Sequence, residues 1–207
     1  MQQDYPVYHS MYDDFVWMQK FGDPLFHRHV AGASILGLVA LKLADEEFLP
    51  FDYKSYADEL QQLTEVLKSK MRGKPVNFAP LLKSIKKFSK AASKVDSQRK
   101  ELEGKSFLSK WKKNPIEVRE LNDRLMMTER AFIDREGLSE RPWFKHLIYG
   151  PSKHNAYMSG AFPSIDDAIQ RVTISNASEA WGLVQHEIWR VARVITQASQ
   201  VLGGRLT

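Results

Sequence analysis

Apolar residues recur along most of this chain at the three- and four-residue steps of one helix face, with no convincing strand-like alternation. The clearest stretch is the last, where Trp181, Val184, Ile188, Val191, Ile195, Ala198 and Leu202 step 3-4-3-4-3-4. Leu81, Ile85, Phe88, Ala92 and Val95 do the same after Gly73-Lys74-Pro75, and Tyr56, Leu60, Leu63 and Leu67 share a third face. Asn114-Pro115-Ile116-Glu117 predicts a helix start: the Asn caps, the Pro suits the first position, and the Glu faces the positive end of the dipole. That helix should run to about Phe132. Two earlier helices are predicted near Tyr12–Phe21 and Leu25–Glu46, with Asp23 as the cap of the second and Pro24 in its first position. Ser164 should cap a short helix carrying Asp166 and Asp167 in its first turn. About six helices result, a mainly α bundle, with a boundary where Leu49-Pro50-Phe51-Asp52 breaks the pattern.

One segment departs from this rule. From about Asp134 to Pro163 the helical period is lost, and Pro142, Pro151, Gly137, Gly150 and Gly160 crowd together with His146 and His154. Long irregular segments in compact domains are functional or disordered. Trp143, Phe144, Leu147, Ile148 and Tyr149 make a composition that calls for burial, so an ordered aromatic loop is predicted, the kind of element that carries a binding surface.

Composition narrows the picture without naming a function. The 207 residues are enough for one good core, or for one domain and part of another. With 30 basic and 25 acidic residues the net charge is +5, which permits an anionic partner without requiring one. There is no Cys, hence no disulfide and no thiolate chemistry. No signal peptide is evident after Met1. The apolar run Val30–Leu43 is too short to span a bilayer and reads as a buried core helix. The triplet Asn176-Ala177-Ser178 reads either as a glycan acceptor or as a helix start with Ser178 as its cap.

The six His differ in their surroundings. His27 and His29 are two apart on a predicted helix, so they face different ways and cannot share a metal. His186 reads as a surface residue. His146 and His154 read either as polar contacts holding the loop or as catalytic groups. His9 follows Tyr5-Pro6-Val7-Tyr8, which by spacing alone is bland. The chain has no paired-His zinc motif, Gly-rich phosphate loop, nucleophile elbow or Cys nucleophile. Lys83, Lys86, Lys87, Lys90 and Lys94, continuing to Lys113, form a basic run. A nucleic-acid footprint is one reading, but interrupting acids, sparse aromatics and few Arg favour a solvated helix face.

Seven motifs in order carry a resemblance: YPVYHSMYD at Tyr5–Asp13, FGDPLFHRH at Phe21–His29, LPFD at Leu49–Asp52, NP…LNDRLMMTERAFID at Asn114–Asp134, RPWFKHLIYGPSKHNAY at Arg141–Tyr157, FPSIDDA at Phe162–Ala168 and AWG at Ala180–Gly182. Together they resemble the C-terminal part of glutamate carboxypeptidase II and its relatives, a group that includes the transferrin receptor. The resemblance is strong at both ends and weak from about Thr64 to Lys113.

The resemblance implies that residues 1–48 are the tail of a zinc peptidase α/β domain and 49–207 a helical transferrin receptor-like dimerisation domain. It implies a homodimer, a two-zinc site, peptide substrates cut at a C-terminal residue, no nucleic acid, and membrane-anchored relatives whose peptidase lies in the lumen or outside the cell. His9 would be a zinc ligand. Tyr8 would bind substrate and help stabilise the tetrahedral intermediate, a task for which a phenol donor is suited. The loop would reach the pocket with Asn155 and Tyr157, the latter bonding the substrate α-carboxylate. Glutamate-specific members carry a Lys where this chain has Ala156, a loss worth about 2–4 kcal/mol for that substrate. Lys153 is the candidate substitute. The other zinc ligands and the general base would precede Tyr5, so this chain alone is expected to be inactive. A non-enzymatic receptor or scaffold is the rival reading. Ile35–Leu43 and the faces of the terminal helices are expected to be sticky without the rest of the peptidase.

Overall fold

The computed structural model describes residues 5–108, 114–153, 159–175 and 181–205. It divides into two compact units, one through Pro50 and one from Phe51 onward.

In the first unit, Asp14 accepts from the Trp17 amide at 2.7 Å and starts the short α1, Phe15–Trp17, which runs into a π-helical turn at Met18–Gly22. The helix α2, His27–Asp45, begins later than the sequence predicts. Pro24 is not in its first turn. Phe26, with φ of 54°, precedes the helix, and the Asp23 carboxylate reaches forward to the amides of Arg28 and His29 at 2.9 and 3.0 Å. Asp23 therefore serves the helix start as predicted, but from outside it, because the chain turns once at Asp23–Phe26 before the helix begins. A larger correction concerns burial. No residue of α2 is buried, and Leu36 is 71% exposed. An apolar run records a preference for burial, and the other described residues of the first unit do not supply the cover.

In the second unit α3 is Tyr53–Lys70, α4 Ala79–Leu108, α5 Pro115–Arg130, α6 Pro163–Ser175 and α7 Trp181–Leu202. The helix α7 is central, packing against α4, α5 and α6, while α3 packs on α4. Its predicted stripe is buried from Val184 to Leu202, and so are Ala192 and Val194, because neighbours lie on several sides. All five predicted α4 positions, Leu81, Ile85, Phe88, Ala92 and Val95, are buried, and the helix continues well past them. On α3 the buried line is Tyr53, Ala57, Leu60, Thr64 and Leu67. The buried hydroxyls of Thr64 and Thr128 donate to the carbonyls one turn back, Leu60 and Arg124, so neither is left unsatisfied.

The helix starts follow their local chemistry. Asn114 caps α5, accepting from Ile116 at 3.0 Å with Pro115 in the first turn. Asp52 caps α3 through the amides of Lys54 and Ser55. Ser164 does not cap α6; Pro163 takes the first position, and the Phe162 carbonyl receives the amides of Ile165 and Asp166. Ser164 lies inside the helix, buried. No single described helix is long and apolar enough to cross a membrane. The readings placed on Asn176 and Ser178 lie outside the described residues.

Candidate functional site

The segment before α1 is a chain of tight turns. The amides of Tyr8, Ser10 and Asp13 bond back to the carbonyls of Tyr5, Val7 and Ser10, and Ser10 Oγ donates to the Val7 carbonyl at 2.8 Å. Tyr5 stacks on Trp17 with ring centres 5.6 Å apart, and its hydroxyl donates to Asp13 at 2.5 Å. That hydrogen bond pushes the Tyr5 phenol above its ordinary range. On this frame the rings of Tyr8 and His9 lie nearly parallel, 4.0 Å apart. His9 adopts φ of 60°, a left-handed conformation uncommon for residues other than Gly. A phenol and an imidazole are thus presented together on an exposed turn. Among the described residues no three His, Cys, Asp or Glu side chains converge as a metal site. Tetrahedral zinc needs three or four ligands, so His9 does not make a zinc site with the other described residues.

The long loop of the second unit is built on a chain of aromatic contacts. Tyr56 of α3 stacks on Phe132 at 5.3 Å, Phe88 of α4 meets Phe132 edge-on at 5.6 Å, and Phe132 meets His146, which stacks on Tyr149 at 6.2 Å. Leu147 and Ile148 are buried as predicted. Trp143 is not: it is 68% exposed. Its neighbours Pro142 and Phe144 turn their carbonyls inward around Gly137, and Trp143 faces out. The loop also contains a short antiparallel ribbon, which the sequence reading missed: β1 at Tyr149–Pro151 pairs with β2 at Ser159–Ala161. Three-residue strands are too short to show alternation.

His146 acts as a bracket. Its Nδ1 accepts from the amides of Ile148 and Tyr149 at 3.3 and 3.1 Å, so the proton sits on Nε2, facing Glu129 at 3.0 Å. His146 thus acts as a polar contact that holds the loop. Burial, with Glu59 and Glu129 nearby, pushes the Tyr149 phenol up to about 12. Replacing His146 with Phe keeps a ring against Phe132 but leaves the Ile148 and Tyr149 amides without that acceptor. We expect a loss of about 1–3 kcal/mol in urea unfolding; a change within error would show that the bracket is dispensable.

A network of charges, also missed in the sequence, ties the loop to α7. Arg190 donates to both Glu187 oxygens at 3.1 and 3.0 Å, to Asp134 Oδ1 at 2.6 Å and to the Gly137 carbonyl at 2.8 Å. Arg193 takes the other Asp134 oxygen at 2.6 Å. Burial pushes the Asp134 carboxyl up; Arg190, the Glu136 amide and Arg193 more than offset this, leaving it below its ordinary value. The available signal was Glu187 and Arg190, two charges flanking the apolar stripe of α7 one turn apart. A second, part-buried pair, Arg141 with Asp167 at 2.5 Å, joins the loop to α6.

Of the predicted site residues, Tyr8 and His9 stand side by side in the first unit. Lys153, in the second, is ion-paired with Glu140, which also pairs with Arg171. Asn155, Ala156 and Tyr157 lie outside the described residues, as does His154. His29 is held by Asp23 at 2.7 Å, and His186 is exposed.

Comparison with known proteins agrees with this architecture. Residues 76–203 match the model of the transferrin receptor-like dimerisation domain. The chain is 55% identical over 98% of its length to a probable glutamate carboxypeptidase of Arabidopsis thaliana, covering 28% of that protein. It is 31% identical over 96% of its length to a mouse aminopeptidase, covering 26% of it. It is 29% identical over 93% of its length to an inactive zinc metalloprotease of Schizosaccharomyces pombe, covering 24% of it. The chain thus spans about a quarter of the length of these relatives. It belongs to the transferrin receptor-like dimerisation domain family, and it is similar to a part of proteins named probable glutamate carboxypeptidases.

Proposed function

We propose that this chain is the dimerising and pocket-completing part of a glutamate carboxypeptidase-like zinc peptidase acting at the C-terminal residue of peptides. In this reading residues 1–48 belong to the peptidase domain and 49–207 to the dimerisation domain of a homodimer. His9 is one zinc ligand of a site completed by residues from elsewhere in the longer protein. Tyr8 donates to the oxygen on which negative charge develops, and Tyr157, with Asn155 beside it, meets the substrate carboxylate. Lys153 is a candidate for an acidic side chain of the substrate, but only after exchanging its bond to Glu140.

The observation that carries this reading is the Tyr8–His9 pair: a phenol and an imidazole stacked 4.0 Å apart on an exposed turn, with His9 at a left-handed φ of 60°. The test uses a longer protein containing this segment. His9→Ala is expected to lower both bound zinc and peptide hydrolysis, whereas Tyr8→Phe should retain zinc and lower kcat by about 10²–10³-fold. Zinc content and turnover unchanged in His9→Ala would overturn the assignment. This chain by itself is expected to give no hydrolysis above a His9→Ala control. The inactive yeast relative and the Ala156 departure favour a second reading, a non-enzymatic scaffold. The same experiment decides, since a scaffold predicts no zinc in the unaltered longer protein.

A further inference from the structure

Glu140 and Arg141 are neighbours of opposite charge, and Asp167 and Arg171 form a second such pair one turn apart on α6. The two pairs interlock. Arg141 donates to Asp167 at 2.5 Å, while Arg171 donates to Glu140 Oε1 and, at 3.0 Å, to Ser139 Oγ. Both members of the first pair also grip the end of β1 and the residues after it. Arg141 donates to the Pro151 carbonyl at 2.7 Å, and the Lys153 ammonium donates to Glu140 Oε2. Glu140 thus gives one oxygen to each of two cations, from a left-handed backbone with φ of 64°. The clip has a firm half and a loose half: Arg141 and Asp167 are largely buried, whereas the Glu140 side chain is 53% exposed.

From Pro151 to Tyr157 the sequence offers Lys153 as its single Lys or Arg. An acidic substrate side chain meeting this stretch has that one permanent cation to find. We propose that Glu140 is a specificity-determining positioning residue: by holding the Lys153 ammonium it withholds that charge from the substrate, so the peptidase favours an uncharged over an acidic side chain at the C-terminal residue of a peptide. The inference rests on the peptidase reading above and names its substrate class. Drawing Lys153 to a substrate carboxylate exchanges one ion pair for another, with no net gain in paired charge. The competing partner is also intramolecular and already in place, since Arg171 holds Glu140 and Arg141 holds the Pro151 carbonyl. An isolated exposed pair would be a weak hold, but these charges form a network anchored by a part-buried pair. Lys153, and then Arg171, keep the Glu140 carboxyl below its ordinary range, so it stays ionised in mild acid.

The test uses the longer protein and two peptides that differ only in the last residue, Glu or its uncharged isostere Gln, read as the ratio of their kcat/KM values. The parent is expected to favour the Gln peptide, and Lys153→Ala should leave the ratio unchanged. Glu140→Gln should shift the ratio toward the Glu peptide by about tenfold, and adding Lys153→Ala should cancel the shift. Glu140→Gly should do the same with a residue that accepts the left-handed backbone freely, so a folding defect in one variant does not decide the outcome. Glu136→Ala removes the same charge from a highly exposed site on the same loop and should leave the ratio alone. A second readout needs no peptidase activity: in this chain by itself, acetylation of Lys153 by a limiting active ester, followed by mass spectrometry, should quicken several-fold in Glu140→Gln. An unchanged acetylation rate, a ratio unmoved by both Glu140 variants, a shift that persists without Lys153 or appears in Glu136→Ala, or a parent preference for Glu that Lys153→Ala removes would each overturn the proposal, with the Gln peptide still hydrolysed. Hydrolysis of neither peptide by the parent would instead remove the peptidase reading, and this inference with it.

Discussion

Replacing Arg190 with Ala is expected to lower the stability of the helical unit by about 3–5 kcal/mol, which for a domain of this size is a drop of roughly 10 °C in Tm. The magnitude follows from what remains, not from what is removed. Asp134 and Glu187 are both buried, and among the described residues Arg190 is the one side chain that bonds to both. Without it, two carboxylates stay in a low-dielectric site, with the Glu136 amide and Arg193, itself largely exposed, still bonded to Asp134. The acid dependence carries a sign that separates this account from simple loss of packing. In the unaltered chain Asp134 is held below its ordinary value, so its contribution is fully present above the unfolded carboxylate range near pH 4 and is lost as pH falls through the depressed folded value. In the variant, burial acts on Asp134 with less to oppose it, and protonation relieves the buried charge. The difference between variant and parent should therefore narrow between pH 7 and pH 4 in urea titrations. A difference that stays constant would point to lost packing of the guanidinium stem and would refute the electrostatic explanation.

This network also marks where sequence reading stopped. The stripes of α4 and α7 and the Asn114-Pro115 start of α5 were legible because each is a local rule: a face period, a cap, a ring with fixed φ. The bond from Arg190 to Asp134 crosses 56 residues, and no local pattern announces it. The errors were local signals overruled by the neighbouring chain. Ser164 lost the cap to a turn closed by the Phe162 carbonyl, with Pro163 entering the helix first. Pro24 was displaced because the chain turns once more at Phe26. The core role read for Val30–Leu43 confused a composition suited to burial with the presence of a covering surface. The Tyr8–His9 pair was legible only through resemblance, since two residues in sequence show neither their stacking nor the left-handed backbone of His9.

The second large effect is expected at Gly137, where Ala should cost about 2–5 kcal/mol. Gly137 has φ of 72°, and an added Cβ would lie 2.5 Å from the Pro142 carbonyl oxygen and 2.7 Å from that of Phe144. Those are backbone atoms and cannot rotate away. The Phe144 carbonyl is also committed, accepting from Leu138, and the Gly137 carbonyl accepts from Arg190. Relieving the clash therefore means opening the turn or releasing Arg190. A left-handed backbone at Ala costs roughly 1–2 kcal/mol, and overpacking contributes another 1–3. Gly73 separates the two contributions, because its φ is 79° but nothing lies within 4 Å of its added Cβ; Gly73→Ala should show the backbone cost alone. Gly137→Ala and Arg190→Ala disturb the same contact, so their combination should destabilise by less than the sum of the two. Equal losses at Gly73 and Gly137, or strict additivity with Arg190→Ala, would show that the loop turn and the charge network are not one unit. In that case Arg190 would stabilise α7 without positioning the loop that the peptidase reading sends to the substrate.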